Sequence, residues 1–106
     1  GVVGGTNPLD AIAITGALDL NAIIQKTSDS SAGAASLTVS GVSDLGANVT
    51  TSGDQTYTGA VVLSTNPVLT TTSNTITFSS TVNSSGSARD LTFGAGSGNA
   101  TFTGAV

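Results

Sequence analysis

The sequence predicts an all-β protein, a parallel β-solenoid (β-helix) of about five irregular rungs, and three observations carry that prediction. A six-residue phrase recurs as TYTGAV (56–61), TFSSTV (77–82) and TFTGAV (101–106), with looser copies TVSGVS (38–43) and AITGAL (13–18). Its apolar second residues, Ile14, Val39, Tyr57, Phe78 and Phe102, are separated by 25, 18, 21 and 24 residues. Internal periods of this size belong to stacked architectures in which each repeat buries its apolar face against its neighbours. From Leu37 onward, β-branched Thr and Val alternate with apolar and small residues between turn-forming breaks at SGDQ, STNP, NSSGSARD and GAGSGN.

Residues 1–106 are expected to form a single repeat unit of a longer chain or fibre, with 1–36 the less regular part and 37–106 the regular β repeats. In 7–26, Asn7 could cap a helix opening at Pro8, with Leu9, Ile12, Leu20, Ile23 and Ile24 near a 3.6 period. The central Thr15-Gly16 and the alternation of Ile12 with Ile14, then Leu18 with Leu20, favour two strands instead. Residues 27–36, TSDSSAGAAS, are small and polar and predict a loop. Beyond them, the intervals between breaks predict strands of five to seven residues.

Alternation sets the faces of the recurring phrase. In TFTGAV, a period of two sends Phe102, Gly104 and Val106 inward and Thr101, Thr103 and Ala105 outward, the glycine suiting a narrow interior where a side chain would meet the opposite wall. Stacked phrases would align Ile14, Val39, Tyr57, Phe78 and Phe102 in one interior column rising about 4.8 Å per step. Thr38/Ser40, Thr56/Thr58, Thr77/Ser79 and Thr101/Thr103 would form outer ladders, and VLTTT, LTFGA and ALDLNAI are candidates for the strands that close each coil. Two edges of such a stack stay open as templates for further rungs, so neighbours are expected.

Composition restricts function. With 38% apolar and 8% charged residues, the core is thin and the surface consists of hydroxyls and amides. Lys26 and Arg89 are the only bases against six Asp, a net charge of −4, which cannot supply the basic cluster that nucleic acid or anionic lipid requires. No apolar run approaches the roughly 20 residues of a membrane span, and no signal peptide is recognisable, so membrane insertion is not expected.

The absence of His, Cys and Glu excludes a serine triad, a thiol protease, a His/Cys zinc site and a Glu general base. Asp10, Asp19, Asp29, Asp44, Asp54 and Asp90 are expected at loop edges in solvated roles, with Asp90 and Arg89 forming a loop ion pair. GAGSGN (94–99) carries no carboxylate and no following Lys-Ser/Thr, so it predicts a glycine turn, not a calcium or phosphate loop. The sequons at Asn48, Asn83 and Asn99 arise readily by chance in a chain this rich in Ser and Thr. No catalytic, cofactor-binding or metal-ligating residue is expected, and the chain is not expected to be an enzyme.

The chain has no Met, and Val106 stops where the equivalent Val61 runs on, so a longer precursor is expected. Joined tail to head, FTGAV and GVVGGTNPL parallel the internal YTGAVVLSTNPVL, as tandem copies or end-to-end subunits would.

The phrases GDQTYTGAV, TITFSSTVN, ARDLTFGAGSGNATFTGAV and LTVSG resemble the repeat regions of very large secreted bacterial surface proteins, adhesins and exoproteins of the filamentous-haemagglutinin and autotransporter kind. The similarity covers 37–106 well and 1–26 loosely. It implies an extracellular, right-handed parallel β-helix forming a cell-surface stalk or fibre, whose partners are copies of itself, adjacent repeats and a host or surface receptor.

Three alternatives make distinct demands. An immunoglobulin-like β-sandwich, serving as spacer or ligand-binding module, requires antiparallel hairpins and separates Tyr57 from Phe78. A polysaccharide-active β-helix requires clustered Asp in a groove. Ice binding requires a regular lattice of Thr pairs, against which the uneven rung lengths and Ala13 weigh.

Overall fold

The computed structural model describes residues 1–94 and 96–106, and every strand pair in it is parallel. Twelve short strands follow one another: β1 (Leu9–Ile14), β2 (Leu18–Leu20), β3 (Ala34–Val39), β4 (Ser43–Leu45), β5 (Val49–Thr50), β6 (Gln55–Tyr57), β7 (Val61–Leu63), β8 (Val68–Thr70), β9 (Ile76–Phe78), β10 (Val82–Ser84), β11 (Thr92–Phe93) and β12 (Ala100–Phe102). They distribute over three sheets, ordered β1-β3-β6-β9-β12 (sheet I), β2-β4-β7-β10 (sheet II) and β5-β8-β11 (sheet III). Single bridges from Val3 to Ile24 and from Ile24 to Val49 extend sheet III downward. Each turn of chain thus lays one strand on each sheet before climbing to the next rung, which is a parallel β-solenoid. The antiparallel pairing required by a sandwich is confined to one isolated bridge, Gln25 to Ala32, beside the 27–29 turn.

Register follows the recurring phrase without a slip. Ile14 pairs with Val39, Val39 with Tyr57, Tyr57 with Phe78 and Phe78 with Phe102. A one-residue shift would turn every one of these side chains to solvent, so the apolar column itself fixes the register. A second interior column on sheet I runs Ile12, Leu37, Gln55, Ile76 and Ala100. Sheet II contributes Leu18, Ser43, Val61 and Val82 together with Leu20, Leu45 and Leu63, and sheet III contributes Val3, Ile24, Val49, Leu69 and Phe93. Buried members of all three sheets form one core.

The phrase is not a single strand, as its alternation suggests. In TYTGAV, β6 ends at Tyr57, residues 58–60 turn a corner, and Val61 opens β7 on another sheet. Each completed passage from sheet I to sheet II uses the same three-residue corner, 15–17, 40–42, 58–60 and 79–81. The constancy of this corner is why the phrase recurs with fixed length while the intervals between phrases vary. Variation is absorbed elsewhere: 85–91 between β10 and β11, and 25–33 between Ile24 and β3. Strands are consequently mostly two or three residues long, shorter than the expected five to seven, because the corners interrupt each run.

The corner glycines have a different cause from the one expected. A Cβ on Gly59 would overlap the backbone of Gly41, one on Gly41 would meet the Gly16 backbone at 2.6 Å, and one on Gly104 would overlap Ser80. The obstacle is the corner one rung below, not an opposite wall. Two further expectations change. Residues 34–36 belong to β3 and not to the loop, since Ala34 is buried and pairs with both Leu9 and Thr51. The two Asn-Pro steps compared in the tail-to-head join are not equivalent, because Asn7-Pro8 leads into β1 on sheet I and Asn66-Pro67 into β8 on sheet III.

Residues 7–26 form β1 and β2 with no helix. Of the proposed closing strands, VLTTT and LTFGA supply β8 and β11 on sheet III, and ALDLNAI supplies β2 on sheet II.

Candidate interaction surfaces

Three surfaces present themselves: the outward face of sheet I, the outward face of sheet II, and the two ends of the stack. On sheet I, every second residue points out. Thr38, Thr56, Thr77 and Thr101 stand in one in-register column beginning at Ala13. The next outward positions, Thr15, Ser40, Thr58, Ser79 and Thr103, are exposed. Ser40 Oγ accepts the Gly16 N–H at 3.0 Å, which ties the lowest corner to the rung above it. The expected outer ladders therefore exist, and the uneven rung lengths do not disturb them because they fall outside sheet I.

On sheet II, Asp19 and Asp44 are in-register neighbours at the centres of β2 and β4. Together with Asp10 in β1, they depart from the expected loop-edge placement. Asp44 accepts a 2.5 Å hydrogen bond from Ser64 Oγ, and Asp19 accepts one of 3.1 Å from Asn21 Nδ2. Asp54 accepts the Thr75 N–H at 3.0 Å, and Asp29 accepts both the Oγ and the N–H of Ser31, which holds its carboxyl below the usual carboxylate range. These carboxylates tie off turns and rungs. Asp90 and Arg89, in the connection between β10 and β11, form no ion pair with each other. Instead, the Asp90 N–H donates to Asn66 Oδ1 and the Arg89 N–H to Ser84 Oγ, and the ion pair seen among the described residues is Lys26 with Asp29 at 3.9 Å. No group of three or more potential metal ligands occurs among the described residues. The GAGSGN segment includes Ala95, which lies outside them.

The ends expose the interior. At the upper end, Phe102 is 38% and Val106 77% exposed, although each continues a buried column. The Val82 N–H donates to Ala105 O at 2.9 Å, as the Val61 N–H donates to Thr81 O one rung below, so Val106 stands over Val82 as the start of a further sheet II rung. Beside it, Val82, Asn83, Ser84, Arg89, Leu91 and Val106 line an open groove of about 400 Å³. At the lower end, the free edge of β1 carries Leu9, 49% exposed, with Ile12 and Ile14 half-buried.

Inside, four polar residues that the sequence patterns do not mark are buried, Ser43, Thr51, Gln55 and Thr71. Gln55 is fully buried in an otherwise apolar column. Its Nε2 donates to Thr70 O at 3.0 Å, with longer contacts to Val49 O and Thr51 Oγ1, and its Oε1 accepts the Tyr57 hydroxyl at 2.9 Å. Ser43 is equally buried, and its Oγ has no partner. The alternation of GDQTYTG places Gln55 on the same face as Tyr57, a signal that was present in the sequence.

Compared with known proteins, the chain matches no family model, no curated protein and no solved structure. Fold and surfaces define its class from within: it is a β-solenoid built on an internal repeat.

Proposed function

We propose that the chain is a structural repeat of an extracellular bacterial fibre or adhesin stalk, stacking end to end with neighbouring copies or adjacent repeats. The observation carrying this role is the uninterrupted in-register column from Ile14 to Phe102, open at both ends. Load along the stack is shared by parallel hydrogen-bond ladders in three sheets and by a continuous apolar core, while hydroxyl ladders outside keep the surface wettable. A receptor would meet the exposed 85–90 segment or the hydroxyl face of sheet I.

Immunogold electron microscopy of thin-sectioned source cells, with an antibody raised against the purified chain, tests this role. Label on surface fibres is expected, and label confined to the cytoplasm would contradict it.

A second role, binding to ice, is favoured by the register of the outer column on sheet I, in which Thr38, Thr56, Thr77 and Thr101 pair in sequence. A parallel ladder spaces such hydroxyls about 4.8 Å along the stack and about 7 Å across it. Thermal hysteresis of the purified chain, abolished by Thr56→Tyr, is the expected result for that role, and its absence in the unmodified chain excludes it.

A further inference from the structure

The geometry points to head-to-tail pairing of two copies of this chain in one register, with β12 of one copy against β1 of the next and Val3 of the incoming copy closing on Phe93. Such pairing rests on the structural-repeat role proposed above and specifies its partner, its edges and its residue pairs.

The two edges carry the same text. Residues 100–106 place Phe102 at the end of β12, Gly104 in the middle of the corner and Val106 at the next strand position. Residues 12–18 place Ile14, Gly16 and Leu18 with identical spacing. This spacing joins every internal pair of rungs, so a second copy can continue the stack with no offset: Ala100 against Ile12, Thr101 against Ala13, Phe102 against Ile14.

The ends are also stepped in a complementary way. At the upper end, sheet I reaches one strand higher than sheet III, since β12 has no counterpart above β11. At the lower end, sheet III reaches one position lower than sheet I, since Val3 pairs beneath Ile24 while β1 has nothing beneath it. The single movement that sets Ile14 on Phe102 therefore also sets Val3 on Phe93. Corner sterics agree, because a Cβ on Gly16 would face open space, leaving room for a rung beneath, whereas those on Gly41 and Gly59 would strike the rung below.

The chain contains no Cys, so engineered cysteines report contact without background. Thr101 and Ala13 both point outward on sheet I and are exposed, which leaves the core intact on substitution. Within one molecule they are four rungs apart, about 19 Å, too far to bridge. Across the proposed junction they are about 4.8 Å apart at Cα, within disulfide range. The double variant Ala13→Cys/Thr101→Cys should give, on mild oxidation, a reducible ladder of dimers and higher multimers. The control Ala11→Cys/Thr101→Cys, displaced by two residues, should give at least tenfold less. Circular dichroism verifies that both variants fold. No ladder from the first variant, or equal ladders from both, overturns the pairing. Labelled surface fibres without a ladder would leave the structural-repeat role standing and remove self-pairing, whereas a ladder with label confined to the cytoplasm would do the reverse.

Discussion

The ring of Tyr57 lies on that of Phe78 with centroids 5.2 Å apart and planes within 10° of parallel. Phe78 repeats the arrangement with Phe102 at 4.8 Å and 9°. Isolated aromatic pairs favour offset or edge-on geometries. Here the ladder dictates the spacing, because in-register parallel strands hold identical positions about 4.8 Å apart whatever occupies them. Phe93 adds a contact from sheet III, tilted 57° to Phe78 with centroids 6.3 Å apart, and meets Phe102 edge-on at 6.1 Å. Phe78 is thus the aromatic touched from below, above and across.

Phe78→Ala should accordingly lower the unfolding free energy by about 3–5 kcal/mol, the range for deleting a buried aromatic side chain. Thr77→Ala, one residue away on the outward face, should change it by less than about 1 kcal/mol. Urea titration followed by far-UV circular dichroism compares the two, and similar losses would show that the column is not the core.

This column was legible in the sequence because it needs two signals only, alternation within the phrase and recurrence of the phrase. The corner was not legible: Thr58, Gly59 and Ala60 could equally extend a strand, and only the backbone of the rung below shows why Gly59 must lack a side chain. The outer Thr ladder was legible for the same reason as the column. Asp19 and Asp44 were misplaced to loop edges because β2 and β4 are only three residues long and leave too little alternation to read. The stepped ends depend on strand counts per sheet, which no local pattern encodes.

Gly59→Ala should destabilise the chain by about 1–3 kcal/mol, as overpacking does, because the added methyl would overlap the Gly41 carbonyl and backbone cannot move aside as a side chain can. Thermal unfolding of the variant checks this, and an unchanged melting temperature would mean that the corner can open.

Ser43 buries a hydroxyl with no hydrogen-bond partner in a column otherwise formed by Leu18, Val61 and Val82. An unpaired buried hydroxyl costs about 1–3 kcal/mol. Ser43→Ala should therefore raise stability, by about 1 kcal/mol after the small loss of packing. A loss of stability in denaturant titration would show that the hydroxyl is engaged.

Burial pushes the Tyr57 phenol above its ordinary value. In the unfolded chain, Tyr ionises near about pH 10, so above that pH the folded state retains a proton that the unfolded state releases. Stability should be insensitive to this group below about pH 10 and fall by about 1.4 kcal/mol per pH unit above it, until the folded phenol itself ionises. Phenolate absorbance from this single Tyr should rise together with the loss of β-sheet circular dichroism. Tyr57→Phe should remove the slope while losing about 1 kcal/mol at neutral pH, where Gln55 Oε1 is left without its donor. Phenolate appearing near pH 10 in protein that is still folded would contradict the burial.

The most direct test of a stack that continues beyond one chain is cryo-electron microscopy of fibres assembled from the purified protein. Five strands on sheet I at about 4.8 Å each predict an axial repeat of about 24 Å per copy, with the ladder running unbroken through every junction. Isolated particles no longer than the 34 Å extent of one chain, or fibres in which the ladder breaks between copies, would contradict it.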